Sequence, residues 1–328
     1  MNIAVLGSGS WATAIVKILC ETHDKVHWWV REQEIMDGVQ SHGHNPLFLS
    51  SCDLNREKIE VSTDIHYIIN SSDLLFFVIP AAFLEISLSD VTEEEFYGKK
   101  VISAIKGIIP SSNEIVAEFF RNKYNIPFTS QGVISGPSHA EEIAMERLTY
   151  LTCGSEDENL ARTISENIQC RFVKTVLSND IEGIEYGSVM KNIYALAAGI
   201  ALGLGYGDNF IAVLIANAAQ EMERFLKEVE PRDRDIKRLV YLGDLLVTAY
   251  SQHSRNRRFG QMIGKGYSVE SAKMEMAMVA EGYYSAKCVH KANEKYKVDL
   301  PIAEAVYSIL YDKHSANREF KSLLDKFL

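Results

Sequence analysis

Lys191 is the first residue of this chain whose neighbours suggest proton chemistry. It lies in the apolar stretch Gly187-Ser-Val-Met-Lys-Asn-Ile-Tyr-Ala-Leu-Ala-Ala-Gly199. At helical spacing its neighbours at i−4, i+4 and i+7 are Gly187, Ala195 and Ala198. The amine therefore projects from a stripe of very small residues, the outline expected of a cavity wall. Loss of water lowers a lysine's pKa and makes it a candidate proton donor or acceptor. A lysine that snorkels from a helix edge fits the same spacing equally well.

Two further groups follow. Asp244 and Thr248 stand at i and i+4 in Leu242-Gly-Asp-Leu-Leu-Val-Thr248 and share a helix face. In isolation that pattern is most simply a carboxylate in a first helical turn. Ser254-Arg255-Asn256-Arg257-Arg258 is the densest basic cluster of an otherwise acidic chain. A guanidinium fork beside hydroxyl and amide donors suits a phosphate dianion. A solvated basic turn would have the same composition.

The N-terminal region carries a different chemistry. Gly7-Ser8-Gly9-Ser10-Trp11-Ala12 directly follows a short apolar strand and opens a helix. This is G-x-G-x-x-A, a form of the dinucleotide fingerprint. Gly7 allows the tight turn, Gly9 lets a pyrophosphate approach the backbone, and Ala12 permits close helix–strand packing. The helix N-terminus offers unpaired N–H groups to the phosphates. The second strand ends at Trp29-Val30-Arg31-Glu32. Arg31 stands where an NAD-specific site usually places a carboxylate, and it can pair with the 2′-phosphate of NADP. Glu32, one residue later, can still take the NAD role. The pattern favours NADP weakly and tolerates NAD.

The elements that must position these groups alternate at first. Ile3–Leu6, Lys25–Val30, Leu74–Ile79, Val101–Ile105 and Val133–Ser135 read as strands, and residues 11–20 read as a helix with Ala12, Ile15, Val16 and Leu19 on one face. Such alternation predicts an α/β fold, a doubly wound parallel Rossmann sheet. From Ile181 onward the periodicity is helical and β-branched runs become scarce. The predicted division is a dinucleotide-binding domain over residues 1–179 and an all-α substrate and catalytic domain over residues 180–328, with the boundary in Ser178-Asn179-Asp180.

Composition narrows the function classes. A chain of 328 residues with 47% hydrophobic and 24% charged residues is ordinary for a globular protein of two domains. A net charge of −10 disfavours nucleic acid and anionic lipid as partners. Cys20, Cys52, Cys153, Cys170 and Cys288 are odd in number and form no Cys-x-x-Cys pair. They read as inert thiols of a reducing compartment, with no metal site. No secretory signal and no apolar run of membrane-spanning length is found, so a cytoplasmic location is expected.

Together these motifs resemble the bacterial NAD(P)-dependent glycerol-3-phosphate dehydrogenases. The resemblance is carried in order by Gly7-Ser-Gly-Ser-Trp-Ala-Thr-Ala14, Ala104-Ile-Lys-Gly107, Ser135-Gly-Pro-Ser-His-Ala-Glu-Glu142, Val189-Met-Lys-Asn-Ile193, Gly243-Asp244, Ser254-Arg-Asn-Arg-Arg-Phe-Gly260 and Glu281-Gly282. It implies reversible reduction of dihydroxyacetone phosphate to sn-glycerol 3-phosphate, supply of that product to phospholipid synthesis, and a homodimer. It also implies residue roles. Lys191 would be the acid/base. Gly7, Gly9, Ser10, Trp11, Arg31, Lys106, Ala140, Arg255, Val279 and Glu281 would contact the cofactor. Lys106, Gly136, Ser138, Lys191, Asp244, Ser254, Arg255 and Asn256 would contact the substrate. The chain departs from the family pattern at Ala12, at Ala81-Ala82 and at Ile215-Ala-Asn-Ala218, where an expected cation is missing. A dehydrogenase of a β-hydroxy acid and a non-catalytic NAD(P) sensor are the rival readings. The first leaves the Ser-Arg-Asn-Arg-Arg cluster unexplained, and the second leaves Lys191 without a task.

Overall fold

The computed structural model describes residues 1–276 and 280–327. The chain forms two compact units, Met1–Ile105 with Glu114–Ile181, and Lys106–Asn113 with Glu182–Leu328. The short segment Lys106–Asn113 thus clusters with the helical residues, although it falls among strands in the sequence.

The first unit is built on an eight-stranded sheet. Its strands are β1 (Ile3–Leu6), β2 (Val26–Trp29), β3 (Ile59–Ser62), β4 (Leu74–Phe77), β5 (Lys100–Ser103), β6 (Gln131–Ser135), β7 (Thr149–Gly154) and β8 (Val173–Ser178). The spatial order is β8-β7-β6-β5-β4-β1-β2-β3. From β3 to β6 every neighbouring pair is parallel. This is the doubly wound order, and its direction of growth reverses at β1, which pairs with β2 on one side and β4 on the other. β7 runs antiparallel to β6, and β8 runs parallel to β7, so these two strands extend the sheet in the reverse sense.

β1 and β4 are buried along their whole length, as continuous apolar runs in a parallel sheet must be. The helix Ser10–Thr22 buries Ala12, Ile15, Val16 and Leu19 as its periodicity predicts. The expected strands are present, with ends displaced by one or two residues. β3, β7 and β8 have no counterpart in the sequence reading. β8 alternates Val-Lys-Thr-Val-Leu-Ser, with Lys174 exposed and Val173 buried. An edge strand with a wet face and polar residues at half its positions does not stand out from a loop by composition.

In the second unit, every described element from Ile181 onward is helical. The helix Ile181–Gly203 is its core and is buried over nearly all its length. Two glycine pairs spaced four apart, Gly199 with Gly203 and Gly260 with Gly264, let this helix and the helix Arg255–Gly264 touch backbone to backbone. A Cβ at Gly203 would lie 2.7 Å from Gly264 Cα, and one at Gly260 would collide with the Leu196 carbonyl. Among the described residues no helix is long and apolar enough to cross a membrane.

Candidate active site

The glycine turn lies at the carboxyl end of β1, where the sheet order reverses. Gly7 has φ +143°, and a Cβ there would strike the Val78 carbonyl. Only glycine fits, and its reason is the close approach of the chain after β4. Gly9 is different: a Cβ there would meet nothing within 4 Å. The protein's own packing does not demand that glycine, whereas a pyrophosphate against the backbone would. Gly9 is also the N-cap of the helix Ser10–Thr22 and supplies no side-chain cap, so the first-turn N–H groups are not satisfied by a capping side chain. These residues fit a dinucleotide.

The turn is held from behind by two residues that the sequence reading passed over. Trp28 is fully buried on β2, and its indole N–H donates to the Gly7 carbonyl at 2.8 Å. Asn45 is fully buried, and its Nδ2 donates to the Ser8 carbonyl at 2.9 Å and to Thr13 Oγ1 at 3.0 Å. Its Oδ1 accepts from the N–H groups of Leu47 and Phe48. At the end of β2 the Arg31 guanidinium pairs with Glu32 Oε1 at 2.6 Å, and the Arg31 N–H donates to Ser8 Oγ at 2.9 Å. Burial works against the Glu32 charge, but Ser8 and Arg31 outweigh it and hold the carboxyl below the usual range. Arg31 is the exposed member of the pair.

In the helical unit Lys191 is buried at 4% exposure, and its Nζ lies 2.5 Å from Asp244 Oδ1. Lys106 Nζ approaches the other oxygen, Asp244 Oδ2, at 3.4 Å. One carboxylate thus bridges two ammonium groups. Burial pushes the Lys191 pKa down to about 7; the Lys106 charge adds to this and Asp244 opposes it. Burial would raise Asp244, but the two lysine charges outweigh it and keep the carboxylate ionised. A lysine that titrates near neutrality beside a permanent anion can give or take a proton.

Asp244 starts the helix Asp244–Tyr250, and Leu239–Gly243 immediately before it forms a single π-helical turn. The Asp244 N–H donates to the carbonyls of Leu239 and Tyr241. Thr248 does not reach the carboxylate; its hydroxyl donates to the Asp244 backbone carbonyl at 2.6 Å. The small-residue stripe around Lys191 is buried. Ala195 and Ala198 are fully buried, and the space above Gly187 is taken by the ring of Tyr241.

A chain of amides runs beside the charged pair. Asn192 Nδ2 donates to the Lys106 carbonyl at 2.8 Å, Asn256 Nδ2 donates to Asn192 Oδ1 at 2.9 Å, and the Gly282 N–H donates to Asn256 Oδ1 at 2.9 Å. Ser254 caps the helix Arg255–Gly264, its Oγ accepting from the Arg257 N–H at 3.2 Å. Arg255 is exposed at the first position of that helix. Glu281 begins the helix Glu281–Tyr296. Burial raises its carboxyl pKa, against the charges of Arg255, Lys191 and Lys106. The fold therefore gathers Lys106, Lys191, Asp244, Arg255, Asn256 and Glu281 into one electrostatic neighbourhood.

Gly136, Ser138 and Ala140 belong to the other unit. Gly136 has φ +139° just beyond β6, and Ser138 Oγ donates to its carbonyl at 2.9 Å. Ala140 opens the helix Ala140–Ala144. Val279 lies outside the described residues.

Two family models match the chain. The N-terminal model of NAD-dependent glycerol-3-phosphate dehydrogenase matches residues 2–161, and the C-terminal model matches residues 180–321. A glycerol-3-phosphate dehydrogenase [NAD(P)+] of Exiguobacterium sp. is 34% identical over 98% of this chain and 95% of its own. That of Bacillus pumilus is 33% identical over 98% and 94%. The chain belongs to the NAD(P)-dependent glycerol-3-phosphate dehydrogenase family. A crystal structure of the Coxiella burnetii glycerol-3-phosphate dehydrogenase superposes with a TM-score of 0.92 at 27% identity, covering 98% of both chains.

This glycerol-3-phosphate dehydrogenase family member uses NAD or NADP, and its fold is the Rossmann sheet with a C-terminal helical domain. Asn192, which joins the Lys106 carbonyl to Asn256, was quoted in the sequence reading only as part of a motif and given no task. Its signal was available: an amide directly after a lysine, inside a run otherwise apolar enough to be fully buried, must find partners. The glycine pairs at 199/203 and 260/264 were equally legible as a close helix crossing.

Proposed function

We propose that the chain reduces dihydroxyacetone phosphate reversibly to sn-glycerol 3-phosphate and supplies that product to phospholipid synthesis. The observation that carries this reading is the buried Lys191–Asp244–Lys106 cluster, next to the helix that presents Arg255. Bound NAD(P)H supplies the hydride. Lys191 Nζ donates a proton to the oxygen developing at C2, and removes it in the oxidative direction. Asp244 orients Lys191 and favours its charged form. Lys106 adds a second positive charge beside the same carboxylate and serves both substrate and cofactor.

Arg255 anchors the phosphate, with Ser254 and Asn256 building its surroundings. Binding energy from that remote group positions the carbonyl. Gly136 and Ser138 are assigned to the triose phosphate. Gly7, Gly9, Ser10, Trp11, Arg31, Ala140, Val279 and Glu281 are assigned to the dinucleotide. A homodimer working in the cytoplasm completes the reading.

The test is oxidation of NADH and NADPH on adding dihydroxyacetone phosphate, run beside a panel of β-keto acids. Lys191→Ala should lower kcat by roughly 10²-fold or more while leaving cofactor affinity nearly unchanged. Turnover of keto acids alone would move the chain to the β-hydroxy acid dehydrogenases. Cofactor binding without turnover of any of them would favour the sensor.

A further inference from the structure

Two contacts, one helical turn apart, join the Lys191 helix to the π-helical turn before Asp244. Lys191 meets Asp244 at 2.5 Å. One turn earlier, at i−4, Gly187 faces Tyr241, which is buried at 3% exposure and stands three residues before Asp244. A Cβ on Gly187 would lie 3.0 Å from Tyr241 Cδ1 and 3.4 Å from Cε1. Non-bonded carbons prefer about 3.5–4.0 Å, so any residue larger than glycine must push the ring outward. The Tyr241 carbonyl accepts the Asp244 N–H, so the residue that carries the ring is also hydrogen-bonded to the backbone of Asp244. π-helical turns are uncommon and cluster at functional sites, where they offset a side chain from its α-helical register.

We propose that Tyr241, seated on Gly187, is a positioning residue that sets the separation of Asp244 from Lys191. The ring acts as a spacer: glycine leaves room for it against the helix, and the π-turn then delivers the carboxylate to Nζ. Neither Gly187 nor Tyr241 is given a contact with substrate.

The inference rests on the proposed dehydrogenase reading, which the wild-type assay checks separately. The experiment compares the pH dependence of kcat/KM for reduction in wild type, Gly187→Ala, Tyr241→Leu and the double variant, with far-UV circular dichroism as a check on folding. Removing Asp244 from its place leaves the Lys191 ammonium less stabilised. The alkaline limb should therefore move to lower pH in each single variant, by about half a unit or more. A displacement of this kind should lower kcat by about tenfold and leave KM within about threefold. Tyr241→Leu should relieve the crowding made by Gly187→Ala, so the double variant should be less impaired than the product of the single effects. If Gly187→Ala does not fold, Tyr241→Leu alone carries the test. Folded variants with an unmoved limb, a loss confined to KM, or multiplicative single effects would each overturn the proposal.

Discussion

Asp244 holds Lys191 and Lys106 on its two separate oxygens, at 2.5 and 3.4 Å. One anion shared by two cations leaves the site with a net positive charge, and it makes Asp244 the residue on which the protonation of Lys191 depends. Asp244→Asn should therefore deplete the ammonium form of Lys191. Its pKa, already pushed down to about 7 by burial, loses the adjacent Asp244 charge that opposes the fall. The alkaline limb of kcat/KM for reduction should shift to lower pH, and activity at pH 8 should drop by about 10²-fold. NADH affinity from fluorescence titration should change far less than kcat, because Asp244 itself is not assigned to the cofactor, although its partner Lys106 is. An unmoved limb would detach Asp244 from the proton transfer.

Arg255 opens its helix with an exposed guanidinium, while Asn256 is tied between Asn192 and Gly282. Arg255 is the member of the cluster proposed to read the phosphate. Arg255→Lys keeps the charge and loses the planar fork. KM for dihydroxyacetone phosphate should rise by about tenfold or more, a lost charged hydrogen bond of about 1.5–3 kcal/mol. Dihydroxyacetone, which lacks the phosphate, should be a poor substrate of both proteins and show little further loss in the variant. Equal losses on the two substrates would show that Arg255 does not read the phosphate.

The Arg31–Glu32 ion pair stands at the end of β2, and its two members are proposed to favour opposite cofactors. Arg31→Ala removes the group suited to a 2′-phosphate and should weaken NADPH about ten- to hundredfold more than NADH. Glu32→Ala should act in the opposite sense, weakening NADH and relieving repulsion of NADPH. Paired titrations of wild type and both variants at one ionic strength measure this directly. Equal losses of both cofactors in Arg31→Ala would leave Arg31 as a stacking residue. NADH preference in wild type, together with NADH loss in Glu32→Ala, would give the ribose contact to Glu32.

Glu221 predicts a pH dependence of stability unrelated to catalysis. It is fully buried and accepts the N–H groups of Ile302 and Ala303, both at 2.9 Å, at the start of the helix Pro301–Leu310. Burial raises its pKa from 4.5 to about 7, against those hydrogen bonds, Arg224 and Tyr194. The folded state therefore binds more protons than the unfolded chain between those values. Stability from this group is fully present below about pH 4.5 and is lost as pH rises through 7. Glu221→Gln, which cannot ionise, should flatten the fall by on the order of 1–3 kcal/mol between pH 5 and 8. Urea denaturation of both proteins at several pH values checks this, and parallel curves would refute it.

What the amino-acid sequence determined by itself was local in origin. The glycine turn follows β1 and precedes its helix within a few residues, so turn chemistry and apolar period suffice to place it. The apolar stretch around Lys191 marked it as a candidate buried amine, with a snorkelling lysine equally compatible, and the fold buries it. The tertiary structure decided which partners meet. Asp244 lies 53 residues from Lys191 and 138 from Lys106, and no periodicity relates positions so far apart. Nor did spacing show that Trp28 and Asn45 brace the glycine turn, or that Asn256 joins Asn192 to Gly282. The edge strands β3 and β8 are partly wet, so their pairing, rather than their composition, makes them strands. The stripe beside Lys191 looked like a cavity wall because small residues leave space. Whether that space stays open or receives Tyr241 is settled only by the close approach of another segment, which glycine permits but does not specify.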